Sequence, residues 1–240
     1  MFQPGGPTLR ELFKQALSST KVGYDLLGEK FDRTPFPTPP AVLNLAVEHL
    51  RREGEYGRAL DLCTGTGAAI GALLPIVKEE IVGVDWSEPM LAVAKKKYER
   101  AASDWPVVSL ARADVLALPY KNEFDLATCF GALGHIERSR QREFIDAVHL
   151  SLKPGGIFAF AASEAPSLLS LEFWAYLGFD WLIRVRNILI KPPFIMYYLN
   201  FLLPGALNSF DRKKWAMIRL TPLDICVKPS GVCLVTAVKV

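Results

Sequence analysis

The chain is predicted to fold as an α/β protein on a doubly wound, mostly parallel sheet, and three observations carry that prediction. Residues 59–67, ALDLCTGTG, read as a short buried strand that breaks through two glycines straight into an apolar, helix-compatible run at 68–77. A second apolar run, residues 81–85, ends in Asp85, roughly 20 residues beyond the glycines, where doubly wound sheets place an acid. At the far end, two β-branched runs flank Lys228, Pro229, Ser230 and Gly231 and read as an antiparallel hairpin.

The strand–glycine–helix junction has a chemistry of its own. It leaves bare backbone N–H groups beside an open crevice. Glycine there lets the main chain bend tightly and approach a ligand with no Cβ in the way. Asp61, on the strand, sits on the wrong side for a phosphate but can accept hydrogen bonds from an ammonium group. Asp85 is placed to accept from two neighbouring ribose hydroxyls at once.

Composition sets the bounds. With 240 residues, half of them hydrophobic, the chain can bury the core of one large α/β domain. A net charge of +3 is too small to argue for nucleic acid. The four cysteines, Cys63, Cys129, Cys226 and Cys233, show no C-x-x-C spacing and no histidine pairing, so no metal site is expected. The first residues, MFQPGGPTLRELFK, lack the apolar core of a signal peptide, which points to a reducing cytoplasm.

Local patterns place the remaining elements. Thr8 with Glu11 forms a capping-box signature for a helix at 8–17. An aromatic, proline-rich stretch follows, mostly turns after Phe31; its Tyr24, Phe31 and Phe36 suit either a pocket cover or ordinary packing. Pro39 or Pro40 opens a helix at 41–52. Ser87 caps a helix running to about residue 100, whose Lys95, Lys96, Lys97 and Arg100 read as a solvated face. Strands are expected at 107–113 and 124–129, then a helix at 140–152. His135 stands just past the fourth strand, where an imidazole could serve as general base toward a hydroxyl or amine; packing under the loop is the alternative. Lys153, Pro154, Gly155 and Gly156 form a tight entry into a strand at 157–161. The hairpin strands are expected at 223–227 and 232–238, with Cys226 opposite Cys233 as reduced thiols.

Asp61 followed by its glycines resembles motif I of the class I S-adenosylmethionine-dependent methyltransferases, with Cys63 where the first glycine usually stands. Asp85-Trp86-Ser87-Glu88-Pro89-Met90 is similar to that family's D-x-S-x-x-M run. Asp114, the FGALGHI segment and Lys-Pro-Gly-Gly then occur in family order, and the small-molecule ubiquinone/menaquinone type is the nearest likeness. The resemblance implies seven strands, six parallel and one antiparallel, with helices on both faces. It implies S-adenosyl-L-methionine as cofactor, with Asp61, Cys63, Thr64, Gly65, Thr66 and Gly67 around its amino acid end and Asp85 on its ribose. Trp86 and Met90 would lie near the adenine, Asp114 on its amino group with Val115 on the ring, and Phe130 and Gly131 beneath the sulfonium.

On that reading the chain is a single domain. Residues 1–56 form a helical cap, 57–163 the cofactor-binding core, 164–221 a hydrophobic helical lid and 222–240 the hairpin. The insertion is dense in aromatic and aliphatic side chains, but Glu172, Asp180, Arg184, Arg186 and Lys191 interrupt it and no membrane span is expected. A lid over a greasy acceptor pocket, peripheral contact with a membrane surface, and a homodimer interface are its three readings. The expected partner is a small, hydrophobic or aromatic acceptor. Two rival classes stay open: a non-catalytic module that keeps the cofactor site, and a nicotinamide-dependent oxidoreductase.

Overall fold

A computed structural model describes residues 5–34, 36–99, 104–224 and 231–240, with backbone alone at 200, 201 and 204. Its centre is a seven-stranded sheet whose order is β3-β2-β1-β4-β5-β7-β6. The strands are β1 Tyr56–Leu62, β2 Val77–Asp85, β3 Val107–Arg112, β4 Phe124–Cys129, β5 Leu152–Ser163, β6 Trp215–Pro222 and β7 Val232–Lys239. Only β7 runs against its neighbours, pairing antiparallel with both β5 and β6, so six strands share one direction as expected. The chain leaves β1 toward β2 and β3 on one side and returns to β4 on the other. A crevice therefore opens at the carboxyl ends of β1 and β4, the place where such sheets bind ligands.

The central strands are buried on both faces, which is why they read as continuous apolar runs. One face packs Leu60, Leu62, Val84, Phe158 and Phe160 against α6 (Gln141–Ser151) through Phe144 and Val148. The other packs Ala59, Ile81, Leu126 and Leu234 against α3 (Pro40–Glu53) and α4 (Ala68–Leu73).

The N-terminal cap holds α1 (Leu9–Leu17), α2 (Thr20–Leu27) and a 3-10 turn at Gly28–Arg33. The expected capping box is present: Thr8 and Glu11 each bond the other's backbone N–H. The helix α5 (Glu88–Tyr98) is capped by Ser87. The remaining helices are α7 (Leu171–Leu189) and α8 (Leu203–Leu207).

Several expectations need correction. The helix after the glycine turn ends at Leu73, not at 77, because β2 starts at Val77. Lys153 to Gly156 lie inside β5, where Gly155 at φ 79° accompanies a break in register with β4. The hairpin's first strand is Trp215–Pro222, so the region 164–221 is not wholly helical, and Cys233 faces Pro222. Its apolar run at 215–218 merges in sequence with the hydrophobic insertion, and as an edge strand it leaves Met217 and Leu220 exposed. Cys226, the turn at 228–230 and Arg100 lie outside the described residues. Lys97 is no bystander on a solvated face: its ammonium pairs with Asp32 at 2.6 Å and donates to the Thr66 carbonyl at 2.9 Å, tying the cap to the glycine turn.

Candidate functional site

The glycine turn works by backbone conformation. Cys63, Gly65 and Gly67 all take positive φ, at 54°, 54° and 83°. A side chain at such an angle costs about 1–2 kcal/mol, so the glycine usual at the Cys63 position has a physical reason. Cys63 is retained in contact with the buried Cys129 at the tip of the adjacent strand. That contact, with burial, raises its thiol pKa well above the ordinary value, leaving it protonated and a poor nucleophile. A Cβ on Gly65 would meet nothing, because that position faces open space. A Cβ on Gly67 would sit 2.7 Å from the Tyr98 ring.

Three acids converge from adjacent strand ends. Asp61 is fully buried at the end of β1, and its two oxygens accept from the hydroxyls of Thr64 at 2.6 Å and Thr128 at 2.8 Å. Burial outweighs those bonds and raises its pKa to about 6. A carboxylate has about four acceptor sites, so it keeps capacity for a cationic ligand. Asp85 ends β2; it accepts from the N–H of Gly65 and the N–H of Ser87, each at 2.9 Å. Desolvation raises its pKa as well. Asp114, past β3, is exposed and accepts from the Leu116 N–H at 2.9 Å, an ordinary turn contact that leaves its second oxygen at the crevice edge.

These groups line one cavity of about 300 Å³, within the range of small-ligand pockets. Asp61, Cys63, Thr64, Gly65, Thr66, Asp85, Trp86, Met90, Asp114, Val115, Phe130, Gly131 and His135 all border it. Gly67 alone among the expected site residues does not: it lies behind the turn against Tyr98, whose hydroxyl bonds its carbonyl. Gly131, at φ 81°, leaves no room for a Cβ beside the Thr38 hydroxyl.

Of the expected covers, the cap aromatics and not the insertion close the cavity. Tyr24, Phe31 and Phe36 of the N-terminal cap wall the cavity, whereas among described residues of the insertion only Ile195 reaches it. Tyr24 donates to His135 Nε2 at 2.8 Å, and His135 Nδ1 lies 2.9 Å from the Ile195 carbonyl. A carbonyl only accepts, so Nδ1 carries the proton and Nε2 is basic. Burial lowers the His135 pKa and keeps the ring neutral; burial also pushes the Tyr24 phenol well above its usual value. Sequence reading missed Thr128, the second hydroxyl on Asp61, and Thr38, because only sheet pairing and a crossing loop bring them there. Among the described residues no group of three or more His, Cys, Asp and Glu could hold a metal ion.

A crevice at the switch point of a parallel sheet, floored by a glycine turn and ringed by acids from three strand ends, is the layout in which doubly wound sheets hold nucleoside cofactors. Its polar end at Asp61 and Thr64, the central Asp85 and the apolar wall of Trp86, Met90 and Val115 match the parts of an adenosyl amino acid. Residues 59–156 match a family model described as a methyltransferase domain. Demethylmenaquinone methyltransferases are similar: that of Chlamydia caviae is 27% identical over 151 residues, covering 60% of this chain and 61% of that protein. The Shouchella clausii enzyme is 34% identical over 113 residues, 46% of each chain. The chain thus spans about half to three-fifths of the length of these relatives. The N-methyltransferase NodS of Bradyrhizobium japonicum WM9, in complex with S-adenosyl-L-homocysteine, shares the fold at TM-score 0.65 and 15% identity, over 92% of this chain and 99% of that one. Residues 59–156 therefore carry a methyltransferase domain, and the chain shares its fold with a solved methyltransferase that holds S-adenosyl-L-homocysteine. Neither the nicotinamide reading nor the non-catalytic one gains support from these likenesses.

Proposed function

We propose that the protein transfers a methyl group from S-adenosyl-L-methionine to a small lipophilic acceptor carrying an ionisable hydroxyl. The observation that carries this reading is the convergence of Asp61, Asp85 and Asp114 on one cavity whose far wall is aromatic. The cofactor, when bound, supplies a sulfonium methyl already activated for displacement. Asp61 would hold its ammonium group, Asp85 its ribose hydroxyls, and Asp114 with Val115, Trp86 and Met90 its adenine. The protein's own task is then to align the acceptor, exclude water and take up a proton.

Tyr24 and His135 are arranged for that last task. As an acceptor hydroxyl releases its proton to the Tyr24 oxygen, the phenolic proton passes to His135 Nε2, giving an imidazolium still held by Ile195. No net charge develops on the buried phenol, whose ionisation is disfavoured. Phe31, Phe36, Leu43 and Ile136 border the same space and suit an apolar acceptor body. Demethylmenaquinone, the acceptor in the relatives' names, is the first compound to try, in its reduced hydroquinone form, since the quinone itself carries no hydroxyl.

Calorimetry with S-adenosyl-L-homocysteine, followed by an acceptor screen that reads homocysteine-product formation, tests the proposal. Saturable binding and turnover of a hydroxylated aromatic are expected. A folded protein that ignores the nucleoside would overturn it.

A further inference from the structure

Two helices of this chain are built inside out. Along α7 the residues turned inward are Asp180, Ile183 and Asn187, while Trp174 and Trp181 remain 60% and 64% exposed. The buried polar groups are fully used: Asp180 accepts from the N–H of Tyr198 and Leu199, and Asn187 bonds both the N–H and the carbonyl of Phe194. The inward polar face is thus a fixed scaffold, and the outward apolar face has no partner among the described residues. In α1 the pattern repeats: Gln15 is buried, whereas Leu9, Phe13 and Leu17 form an i, i+4, i+8 stripe facing solvent, Leu9 at 82% exposure.

The two faces belong to one surface. Arg186, near the end of α7, donates to the carbonyls of Ala16 and Ser18 at 3.0 and 2.6 Å, fastening it to the α1–α2 junction. Cations rim that surface. Arg10 and Lys14 flank the α1 stripe, Lys191 follows α7, and none of the three has an ion-pair partner among the described residues. Of the acids nearby, Glu11 pairs with Lys30, while Glu172, bonded only to the Tyr176 hydroxyl, keeps its charge at the end of α7 remote from Lys191. An apolar face with exposed tryptophans and a rim of uncompensated cations matches the chemistry of an anionic lipid surface.

We infer that α1 and the outer face of α7 form a docking surface for a bilayer carrying anionic phospholipid, Phe13, Trp174 and Trp181 entering the head-group layer. It is contact and not insertion, since no helix among the described residues is long and apolar enough to cross a membrane. The segments that follow these two helices reach the cavity: Thr20, at the start of α2, accepts from the Ile195 N–H at 2.6 Å, and both residues border the cavity beside Tyr24. The surface would set the cavity against the lipid in which a lipophilic acceptor dissolves. It stands apart from the methyl-transfer reading, because docking is measured with neither cofactor nor acceptor present.

The test is co-sedimentation of the full chain with phosphatidylcholine vesicles, with and without phosphatidylglycerol, alongside tryptophan emission. Binding to the anionic vesicles only, with a blue shift and loss at high salt, is expected. The paired change Phe13→Glu and Trp181→Glu should weaken binding by about tenfold or more, and Arg10→Glu with Lys14→Glu should reproduce the effect of salt. Leu9→Ser with Leu189→Ser serves as a milder second variant should the first lose its native circular dichroism. No binding to anionic vesicles, or equal binding to both kinds, would overturn the inference. So would a stable dimer that Trp181→Glu dissociates while vesicles are ignored, which would assign the face to a second copy of the chain.

Discussion

Tyr24 and His135, 111 residues apart in the chain, share a hydrogen bond of 2.8 Å with their rings edge to face at 5.1 Å. The contact joins the N-terminal cap to the loop after β4 and puts the only proton-accepting nitrogen of that imidazole behind a phenol. On the proposed reading, a substrate hydroxyl would reach His135 through Tyr24.

Tyr24→Phe and His135→Gln are both expected to lower kcat by about 10²–10⁴-fold, the usual span of a lost proton acceptor. Cofactor-product affinity should stay within about twofold, since neither group has been given a cofactor contact and uniform binding is preserved. Burial depresses the His135 pKa, so the acid limb of kcat in the unaltered protein should fall below the ordinary imidazole range. Full turnover in Tyr24→Phe would remove the relay.

With Asp61 in its proposed role, cofactor binding should depend on pH. The carboxyl's pKa is raised to about 6 in the free protein, against about 3.9 for an unperturbed aspartate. The native state thus holds a proton that the unfolded chain releases, and this carboxyl's contribution to stability is lost as pH rises from about 4 to 6. Binding an ammonium group needs the ionised form. Affinity for S-adenosyl-L-homocysteine should be flat above pH 7 and weaken by up to about tenfold per unit below 6. Calorimetry across this range checks the slope, which Asp61→Asn should abolish along with most of the affinity.

Asp85→Asn should cost more than its similar shape suggests. Both carboxylate oxygens accept from backbone N–H groups, those of Gly65 and Ser87. An amide must turn its NH₂ against one of them, so the glycine turn loosens as the ribose partner is lost. Cofactor-product binding is expected to weaken by about 1.5–3 kcal/mol, read by calorimetry.

Gly65→Ala and Gly67→Ala should separate binding from stability. At Gly65 the new methyl meets open space on the cavity side, so ligand affinity falls while thermal stability loses only the backbone strain, about 1–2 kcal/mol. At Gly67 the methyl strikes Tyr98 2.7 Å away in a packed region. That overpacking adds about 1–3 kcal/mol. Denaturant melts of both variants should rank Gly67→Ala as the less stable.

Lys239 anchors the last strand from a buried position. Its ammonium donates to Asn122 Oδ1 at 2.7 Å and to the carbonyls of His149 and Leu152 at 2.8 Å each. Lys239→Met fills the same volume but strands three acceptors, and should destabilise the fold by about 2–3 kcal/mol in urea unfolding.

The parallel core and the strand ends that line the cavity could be read from the letters alone. Asp61, Gly65, Asp85 and Asp114 were legible because each sits at the boundary between an apolar run and a turn, and such boundaries are local events in the chain. The antiparallel strand β7 was legible for the same reason. Its partner β6 was not, since its apolar run at 215–218 continues the hydrophobic insertion, and an edge strand exposed along most of its length lacks the in–out alternation that marks a strand. What covers the cavity was settled by long-range packing. Aromatic side chains in the cap and in the insertion look alike as letters, and packing turned Tyr24, Phe31 and Phe36 inward while Trp174 and Trp181 were turned out. That outcome depends on where Asp180, Asn187 and Arg186 find backbone partners far along the chain, and hydrogen bonds between distant residues leave no periodic trace in a sequence.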